Sequence, residues 1–143
     1  MTYQNAGMLS PYKVLDVTQG ACSLSGKIFA DLGANVIKIE SPNGDISRFR
    51  GPFIKDKPHI DNSYEWHYLN ANKRGITLDL EKTTDQEIFK KLIVDTDFLF
   101  DSFEPGYLKS KGLSYQDLRK INSKLIMASI TPFGQDGPYM NYL

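Results

Sequence analysis

Residues 70–103 constrain the fold most, because two strand patterns and one helix pattern follow one another within 34 residues. Ile76, Leu78 and Leu80 alternate with polar residues, which is the period of a strand with one buried face. This strand is predicted to end near Leu80. Residues 98–100 form a continuous apolar run, which is typical of a strand covered on both faces. The stretch therefore predicts a parallel β-α-β unit.

The helix between these strands begins with two overlapping capping-box patterns, Thr83 with Gln86 and Thr84 with Glu87. Either register begins the same helix. Its apolar residues recur at spacings of one, three and four, which places them on one stripe. The stripe consists of Ile88, Phe89, Leu92 and Ile93.

The N-terminal residues predict a second unit of the same kind. Residues 12–17 and residues 36–39 predict buried strands. Between them, a turn contains Gly20 and a helix begins at Ser23 or Ser25. This order is the opening of a doubly wound nucleotide-binding fold. The turn holds one glycine where the dinucleotide fingerprint requires three, which disfavours NAD and FAD.

Function is expected at the carboxyl ends of the strands, because loop amides and helix N-termini face a crevice there that suits phosphate. In the central unit these ends are residues 78–81 and 101–104. Asp79 either accepts a hydrogen bond from a ribose hydroxyl or an adenine amine, or caps the local turn. Nearby cations either meet phosphate or are ordinary solvated side chains. They are Lys73, Arg74, Lys109 and Lys111.

The remaining segments fit around these units. Residues 41–63 lack periodicity and contain several prolines and glycines, which predicts a long loop. A loop of this length is usually functional or in contact with another chain, and a surface excursion is the alternative.

A later helix has a capping box of Ser114 and Asp117. Residues 125–130 predict a further buried strand.

Composition argues against several classes of function. Lysine plus arginine equal aspartate plus glutamate at 17 each, so no global field attracts nucleic acid or an anionic membrane. The single cysteine, Cys22, excludes an internal disulfide, and with only two histidines no metal site is expected. No apolar run suits a membrane span and no signal-peptide pattern is present. We expect one cytoplasmic domain.

No catalytic constellation is visible in the sequence. His59 and His67 have no metal-ligand partner at a useful spacing and are interpreted as surface or hydrogen-bonded residues. Cys22 is either a nucleophile activated at a helix N-terminus or a buried small residue. The residues alone therefore assign no catalytic group.

Six motifs in order resemble the N-terminal part of one enzyme family. The first three read Val-Leu-Asp-Val-Thr, Ala-Asp-Leu-Gly-Ala-Asn-Val-Ile-Lys-Ile-Glu and Asn-Lys-Arg-Gly-Ile-Thr-Leu-Asp-Leu. The later three read Ser-Phe-Glu-Pro-Gly-Tyr-Leu, Gly-Leu-Ser-Tyr-Gln-Asp-Leu and Phe-Gly-Gln-Asp-Gly-Pro-Tyr. Residues 12–139 resemble the class III CoA-transferases of the CaiB/BaiF type, a family that includes formyl-CoA transferase, carnitine CoA-transferase and α-methylacyl-CoA racemase.

The resemblance implies a Rossmann-like α/β domain with a parallel sheet flanked by helices. Residues 1–143 would be the N-terminal, CoA-binding portion of a larger fold whose two chains interlock as a homodimer, with the catalytic remainder absent. Coenzyme A or an acyl-CoA is the implied substrate, together with a carboxylic acid. The implied CoA-binding residues are Gly20, Ala21, Leu78, Asp79, Leu80, Ser102, Phe103 and Lys111.

The implied reaction moves CoA between carboxylic acids through an enzyme carboxylate. In the family the attacking aspartate follows the motif at 133–139 and would lie beyond residue 143, so no catalytic residue is assigned here. Two alternatives remain: a 2-methylacyl-CoA racemase, and a non-catalytic fragment or subunit of a split enzyme completed by a second polypeptide. By the same resemblance, the first turn is one residue shorter than usual. Ser41 replaces a residue that is arginine in some members, and Ser102 replaces a frequent asparagine.

Overall fold

The computed structural model describes residues 7–142, which contain a five-stranded sheet with all strands parallel. The strands are β1 (Lys13–Val17), β2 (Asn35–Glu40), β3 (Arg74–Thr77), β4 (Phe98–Asp101) and β5 (Ile126–Ser129). Their order across the sheet is β3-β2-β1-β4-β5. The chain extends the sheet from β1 first in one direction and then in the other, which is a doubly wound arrangement. The predicted Rossmann-like α/β fold is therefore confirmed.

Helices connect the strands and pack on the sheet. They are α1 (Leu24–Asp31), α2 (Tyr64–Asn70), α3 (Thr83–Ile93), α4 (Tyr107–Ser110) and α5 (Tyr115–Ile121). Short 3-10 turns lie at Gly20–Ser23, Ile46–Phe49 and Ile54–Asp56. Within residues 7–142, no helix has both the length and the apolar character needed to cross a bilayer.

Two apolar clusters lie on opposite faces of the sheet, because successive side chains of a strand point in opposite directions. The larger cluster joins Leu15 of β1 to Phe89 of α3 and Leu118 of α5. The smaller cluster joins Val14 of β1 to Ala30 of α1. Each face of the sheet therefore has its own helical cover.

The central β-α-β unit is present, but β2 and β1 lie between β3 and β4. The prediction that its first strand ends near Leu80 is wrong, since β3 ends at Thr77. Leu78 N still donates to Glu40 O at 2.9 Å. The next amide, Asp79 N, donates to Asp85 Oδ2 at 2.8 Å instead of to a neighbouring strand. This bond turns the backbone away from the sheet and toward the start of α3.

The predicted helix at α3 is confirmed, but neither capping box forms. Its N-cap residue is Lys82, whose side chain makes no capping bond. The amide that a Thr83 cap would take, Gln86 N, donates to Lys82 O at 3.0 Å instead. By contrast, Ser114 caps α5 as predicted and accepts from Asp117 N at 3.3 Å. A capping pattern therefore identified one helix start correctly and the other only approximately.

The strand predicted at residues 125–130 is present as β5, but its predicted burial is wrong. Within the described residues β5 pairs with β4 and forms one edge of the sheet. Ile126 is 54% exposed and Ile130, just after the strand, is 37% exposed. An edge position leaves apolar side chains without cover, and the local sequence does not reveal it.

The tight contact between α1 and β1 yields a prediction about stability. Alanine normally favours a helix over glycine by about 1 kcal/mol. At Gly26, however, a methyl group would overlap the carboxylate of the buried residue Asp16. We expect Gly26→Ala to lower the free energy of unfolding by roughly 1–3 kcal/mol, measured by urea denaturation with circular dichroism. Gly75→Ala is the control, because the added methyl meets no atom within 4 Å. Equal losses in both variants would contradict the prediction.

Candidate functional site

The carboxyl ends of β1 and β4 meet where the strand order reverses. Open α/β sheets bind ligands in the crevice at such a switch point. The turn after β1 directly contacts the residue after β4, because Gln19 N donates to Ser102 Oγ at 2.9 Å. The same turn contains Gly20 and Ala21. The structure thus brings Gly20, Ala21 and Ser102 together at this crevice.

A buried carboxylate holds the amide of Gly20, whose backbone is left-handed with φ +55°. Gly20 N donates to Asp45 Oδ1 at 3.0 Å, and the same oxygen accepts from Ser47 N at 2.8 Å. The other oxygen lies 2.9 Å from Lys38 Nζ, and both of these side chains are at most 2% exposed. Burial opposes the charge on Asp45, but Lys38 and the Ser47 hydrogen bonds outweigh it and lower the pKa of the carboxyl. A buried anion therefore lies beside the first turn.

A second buried ion pair lies next to the first. Lys73 Nζ is 2.7 Å from Asp16 Oδ2, with the side chains 1% and 0% exposed. Lys73 also donates to Ser23 O at 2.7 Å and to Asn70 Oδ1 at 2.9 Å. Burial has the largest effect on Lys73 and lowers its pKa, against the opposing effect of Asp16. Both interpretations offered for this lysine, a phosphate contact and a solvated side chain, are therefore wrong.

Ser23 and Thr18 connect the two ion pairs. Lys38 Nζ donates to Ser23 Oγ at 3.0 Å and also to Thr18 O. Thr18 N in turn donates to Asp16 Oδ1 at 3.0 Å. Ser23 is the N-cap residue of α1 but makes no side-chain capping bond, so the prediction of a serine cap there is wrong. Its hydroxyl contacts the buried lysine instead.

A third ion pair, between Arg48 and Glu40, connects residues 41–63 to the sheet. Arg48 Nε donates to Glu40 Oε2 at 2.6 Å, and Nη2 donates to Oε1 at 2.9 Å. The guanidinium carbon lies 3.7 Å from the centroid of the Trp66 ring. Together with Asp45, these contacts bring the loop against the first turn. This position favours the functional interpretation of the loop over that of a surface excursion.

A second group of residues, which includes the predicted Phe103 and Lys111, follows β3 and β4. Glu81 accepts from Tyr107 OH at 2.8 Å and forms an ion pair with Lys111. The ring of Phe103 stacks on that of Tyr107 with 4.5 Å between centroids. The loop after β3 therefore reaches the segment after β4, although two strands separate β3 from β4.

Hydrogen bonds and burial shift the pKa values of the ionisable side chains in this second group. Donors from Lys111 and Tyr107 lower the pKa of Glu81. Burial and the neighbouring Glu81 raise the pKa of Tyr107 to about 12. Bonds from Lys82 and from the Glu81 amide lower the pKa of Asp79. At neutral pH the group therefore contains two carboxylates and a neutral phenol.

Asp79 and the leucines beside it differ in what they can offer a ligand. Asp79 Oδ1 accepts from Glu81 N at 3.1 Å, so the turn-capping interpretation of Asp79 is confirmed. Leu78 and Leu80 are 7% and 6% exposed and belong to the larger apolar cluster. A ligand at this position would meet the Asp79 carboxylate and the backbone, and little of the leucine side chains.

A groove of about 940 Å³ opens beyond the ends of β4 and β5. Residues along it include Phe103, Lys109, Tyr115, Met127, Gln135 and Met140. Asp101, which is 1% exposed, also contributes to the lining and accepts from Ser129 Oγ at 2.5 Å and from Phe103 N at 3.2 Å. Burial raises the pKa of this carboxyl. The volume is in the usual range for a small-molecule site.

Sequence reasoning assigned no individual role to three charged residues that build the site. Lys38 was detectable as the one charged residue within the predicted strand at 36–39. Asp45 lies in a loop without periodicity, and Glu81 at the end of a misjudged strand, so neither had a local pattern. Their roles depend on contacts between segments that are separated in sequence.

Comparison with known proteins relates the chain to CoA-transferases. The profile of CoA-transferase family III matches residues 9–143. The chain is 42% identical over 133 residues to the succinyl-CoA:(R)-benzylsuccinate CoA-transferase subunit BbsE of Thauera aromatica, covering 93% of this chain and 32% of that protein. It is 38% identical over 135 residues to the formyl-CoA:oxalate CoA-transferase of Streptomyces avermitilis, covering 94% and 32%.

Solved structures agree with this relationship. A CAIB/BAIF family protein from Brucella suis matches with a TM-score of 0.87 and 34% identity, over 96% of this chain and 37% of that one. Rv3272 from Mycobacterium tuberculosis matches with a TM-score of 0.82 and 32% identity, over 94% and 37%. The chain spans about a third of the length of the curated relatives reported above. It belongs to CoA-transferase family III.

Proposed function

We propose that this chain is the CoA-binding, N-terminal part of an enzyme that transfers coenzyme A between carboxylic acids. The observation that carries the proposal is the contact between the first turn and Ser102 at the switch point, in a chain of this family. The relatives reported above are named as CoA-transferases, which favours transfer over the racemase alternative. Because the chain spans only a third of those relatives, the proposal concerns the holding of CoA.

The arrangement of the site suits a long ligand. Ser102 contacts the first turn, and the next residue, Phe103, stacks on Tyr107, which bonds to Glu81 after β3. These contacts form a continuous line along the carboxyl edge of the sheet. We assign the adenine end of CoA to residues 78–80, where the Asp79 carboxylate is the polar group, and the rest of the molecule to the crevice at Ser102.

Lys111 is the proposed phosphate contact. Its side chain is 21% exposed, pairs with Glu81 and lies 5.5 Å from the centroid of the Tyr107 ring. A phosphate would compete with Glu81 for the same ammonium group. Lys109 lines the adjacent groove and offers a second cation. The site therefore has positive charge available for the pyrophosphate or the ribose phosphate of CoA.

We assign the catalytic carboxylate to polypeptide outside residues 7–142. Transfer requires a carboxylate oxygen to attack the thioester carbonyl and expel the CoA thiolate, which leaves a mixed anhydride. Asp101 is the buried carboxylate at the groove, but burial raises its pKa and both of its oxygens already accept hydrogen bonds. It is therefore poorly suited to act as the nucleophile. The second substrate, a carboxylic acid, would bind near the missing carboxylate.

We also propose a cytoplasmic enzyme whose exposed edge is covered by a dimer partner or a second polypeptide. Cys22 is a free thiol, which suits a reducing compartment. The edge strand β5 presents Ile126 at 54% exposure. Uncovered apolar strand edges favour association with further polypeptide.

Calorimetry with CoA tests the proposed function. We expect saturable heat with about one CoA per chain, because the crevice and the adenine-binding segment already lie along one edge of the sheet. Adenosine 3′,5′-bisphosphate, which carries only the nucleotide end, should compete. No heat and no competition would show that the chain lacks a CoA site.

A lysine substitution tests the phosphate contact. We expect Lys111→Ala to weaken CoA binding roughly five- to tenfold, because a partly exposed charge-assisted contact is lost. The affinity of the variant should also depend less on salt concentration. Lys120→Ala is the matched control, since Lys120 pairs with Asp117 on α5 with its side chain 77% exposed. Similar losses in both variants would contradict the assignment.

The exposed edge predicts the behaviour of the isolated 143-residue chain. We expect self-association or aggregation in sedimentation velocity, because β5 offers an unprotected strand with apolar side chains. Ile126→Lys should shift the distribution toward monomer, since a charged edge residue opposes strand pairing. A stable monomer of the unmodified chain would contradict this prediction.

A further inference from the structure

We infer that Asp45 is a positioning residue for the CoA-binding turn, with Lys38 as the cation that stabilises it in the interior. The inference rests on the proposed function and adds a residue that does not touch the ligand. Asp45 is 1% exposed and lies in the long loop. Its effect on CoA would pass through the backbone of Gly20.

The first turn fits closely against the loop that carries Asp45. Gly20 has a left-handed backbone, and a Cβ added there would lie 3.2 Å from Cγ2 of Ile46. The Gly20 amide donates to Asp45 Oδ1 at 3.0 Å and is therefore not available to a ligand. What this bond fixes is the direction of the turn, including the preceding amide that donates to Ser102.

The position of the Asp45 carboxylate is itself set by β2. Lys38 and Glu40 both belong to this strand. Lys38 Nζ lies 2.9 Å from Asp45 Oδ2, and Glu40 Oε2 accepts from Asp45 N at 2.9 Å. Side chain and backbone of Asp45 are therefore both anchored to the sheet. A chain of contacts runs from β2 through Asp45 to Gly20 and on to Ser102.

A positioning role and a purely structural role make different predictions. If Asp45 only stabilises the fold, any variant with the same loss of stability should have the same effect on CoA binding. If Asp45 positions the turn, the acceptor oxygen facing Gly20 matters more than the charge facing Lys38. Asparagine keeps that oxygen and removes the charge, whereas alanine removes both.

The experiment compares Asp45→Ala, Asp45→Asn and Leu118→Ala in the Ile126→Lys background, which is expected to favour the monomer, with CoA affinity measured by calorimetry and stability by urea unfolding. Leu118 lies in the larger apolar cluster on α5 and is not one of the hydrogen-bond partners of the turn, so it controls for lost stability. We expect Asp45→Ala to weaken CoA binding roughly tenfold or more. Asp45→Asn and Leu118→Ala should stay within about threefold of the original chain, although both lose stability. Equal weakening in all three variants would overturn the inference.

Amide hydrogen exchange separates failure of this inference from failure of the proposed function. If the original chain binds no CoA, the proposed function fails, but the exchange rate of the Gly20 amide still tests the role of Asp45. That amide should exchange roughly tenfold faster in Asp45→Ala than in Asp45→Asn, relative to the Leu99 amide in the core. Equal relative rates in the two variants would show that Asp45 does not fix the turn.

Discussion

The burial of charge beside the first turn is the constraint on which the site depends. Lys38 with Asp45, and Lys73 with Asp16, are paired at 2.9 and 2.7 Å with side chains at most 2% exposed. Moving an ion out of water costs several kcal/mol, so each charge is tolerated only because its partner is in place. The pairs join β1, β2, the long loop and the segment between α2 and β3. The shape of the turn therefore follows from contacts between distant segments more than from the turn's own sequence.

The part of the site around Gly20 and the part around Glu81 differ in how deeply their charged side chains are buried. Around Gly20, ionic groups are buried, and removing one partner would leave an uncompensated charge in the interior. Around Glu81, the ion pair with Lys111 is partly exposed, with Glu81 59% accessible, and pairs of this kind contribute little to stability. The part around Gly20 is therefore suited to holding the turn in one fixed geometry. The part around Glu81 is suited to a change of partner, because Lys111 can leave Glu81 for an incoming phosphate at a small cost in free energy.

The sequence predicted the fold better than the site, because apolar periodicity is local and ion pairing is not. The strands at β1, β2 and β4 follow from their apolar residues, whereas β3 is shorter because the Asp79 amide bonds to Asp85. The strand ends near Val17 and Asp101 lie side by side, as the parallel order of β1 and β4 requires. The burial of Lys73, however, depends on a carboxylate 57 residues earlier in the chain. No local pattern contains that partner, so the sequence predicts a phosphate contact or a solvated side chain for this lysine but not a buried ion pair.

The length of CoA separates two proposed roles of the site, which are binding the adenine nucleotide and presenting the thioester. Its adenine nucleotide lies far from the thioester, so contacts with residues 78–80 and Lys111 would be the same before and during transfer. Such uniform binding improves affinity but does not accelerate the chemical step. The crevice between the first turn and Ser102 differs, because the thioester end would have to pass it to reach a catalytic carboxylate. A turn held rigidly by Asp45 would then affect how the thioester is presented, and the buried charges would influence catalysis without touching a reacting atom.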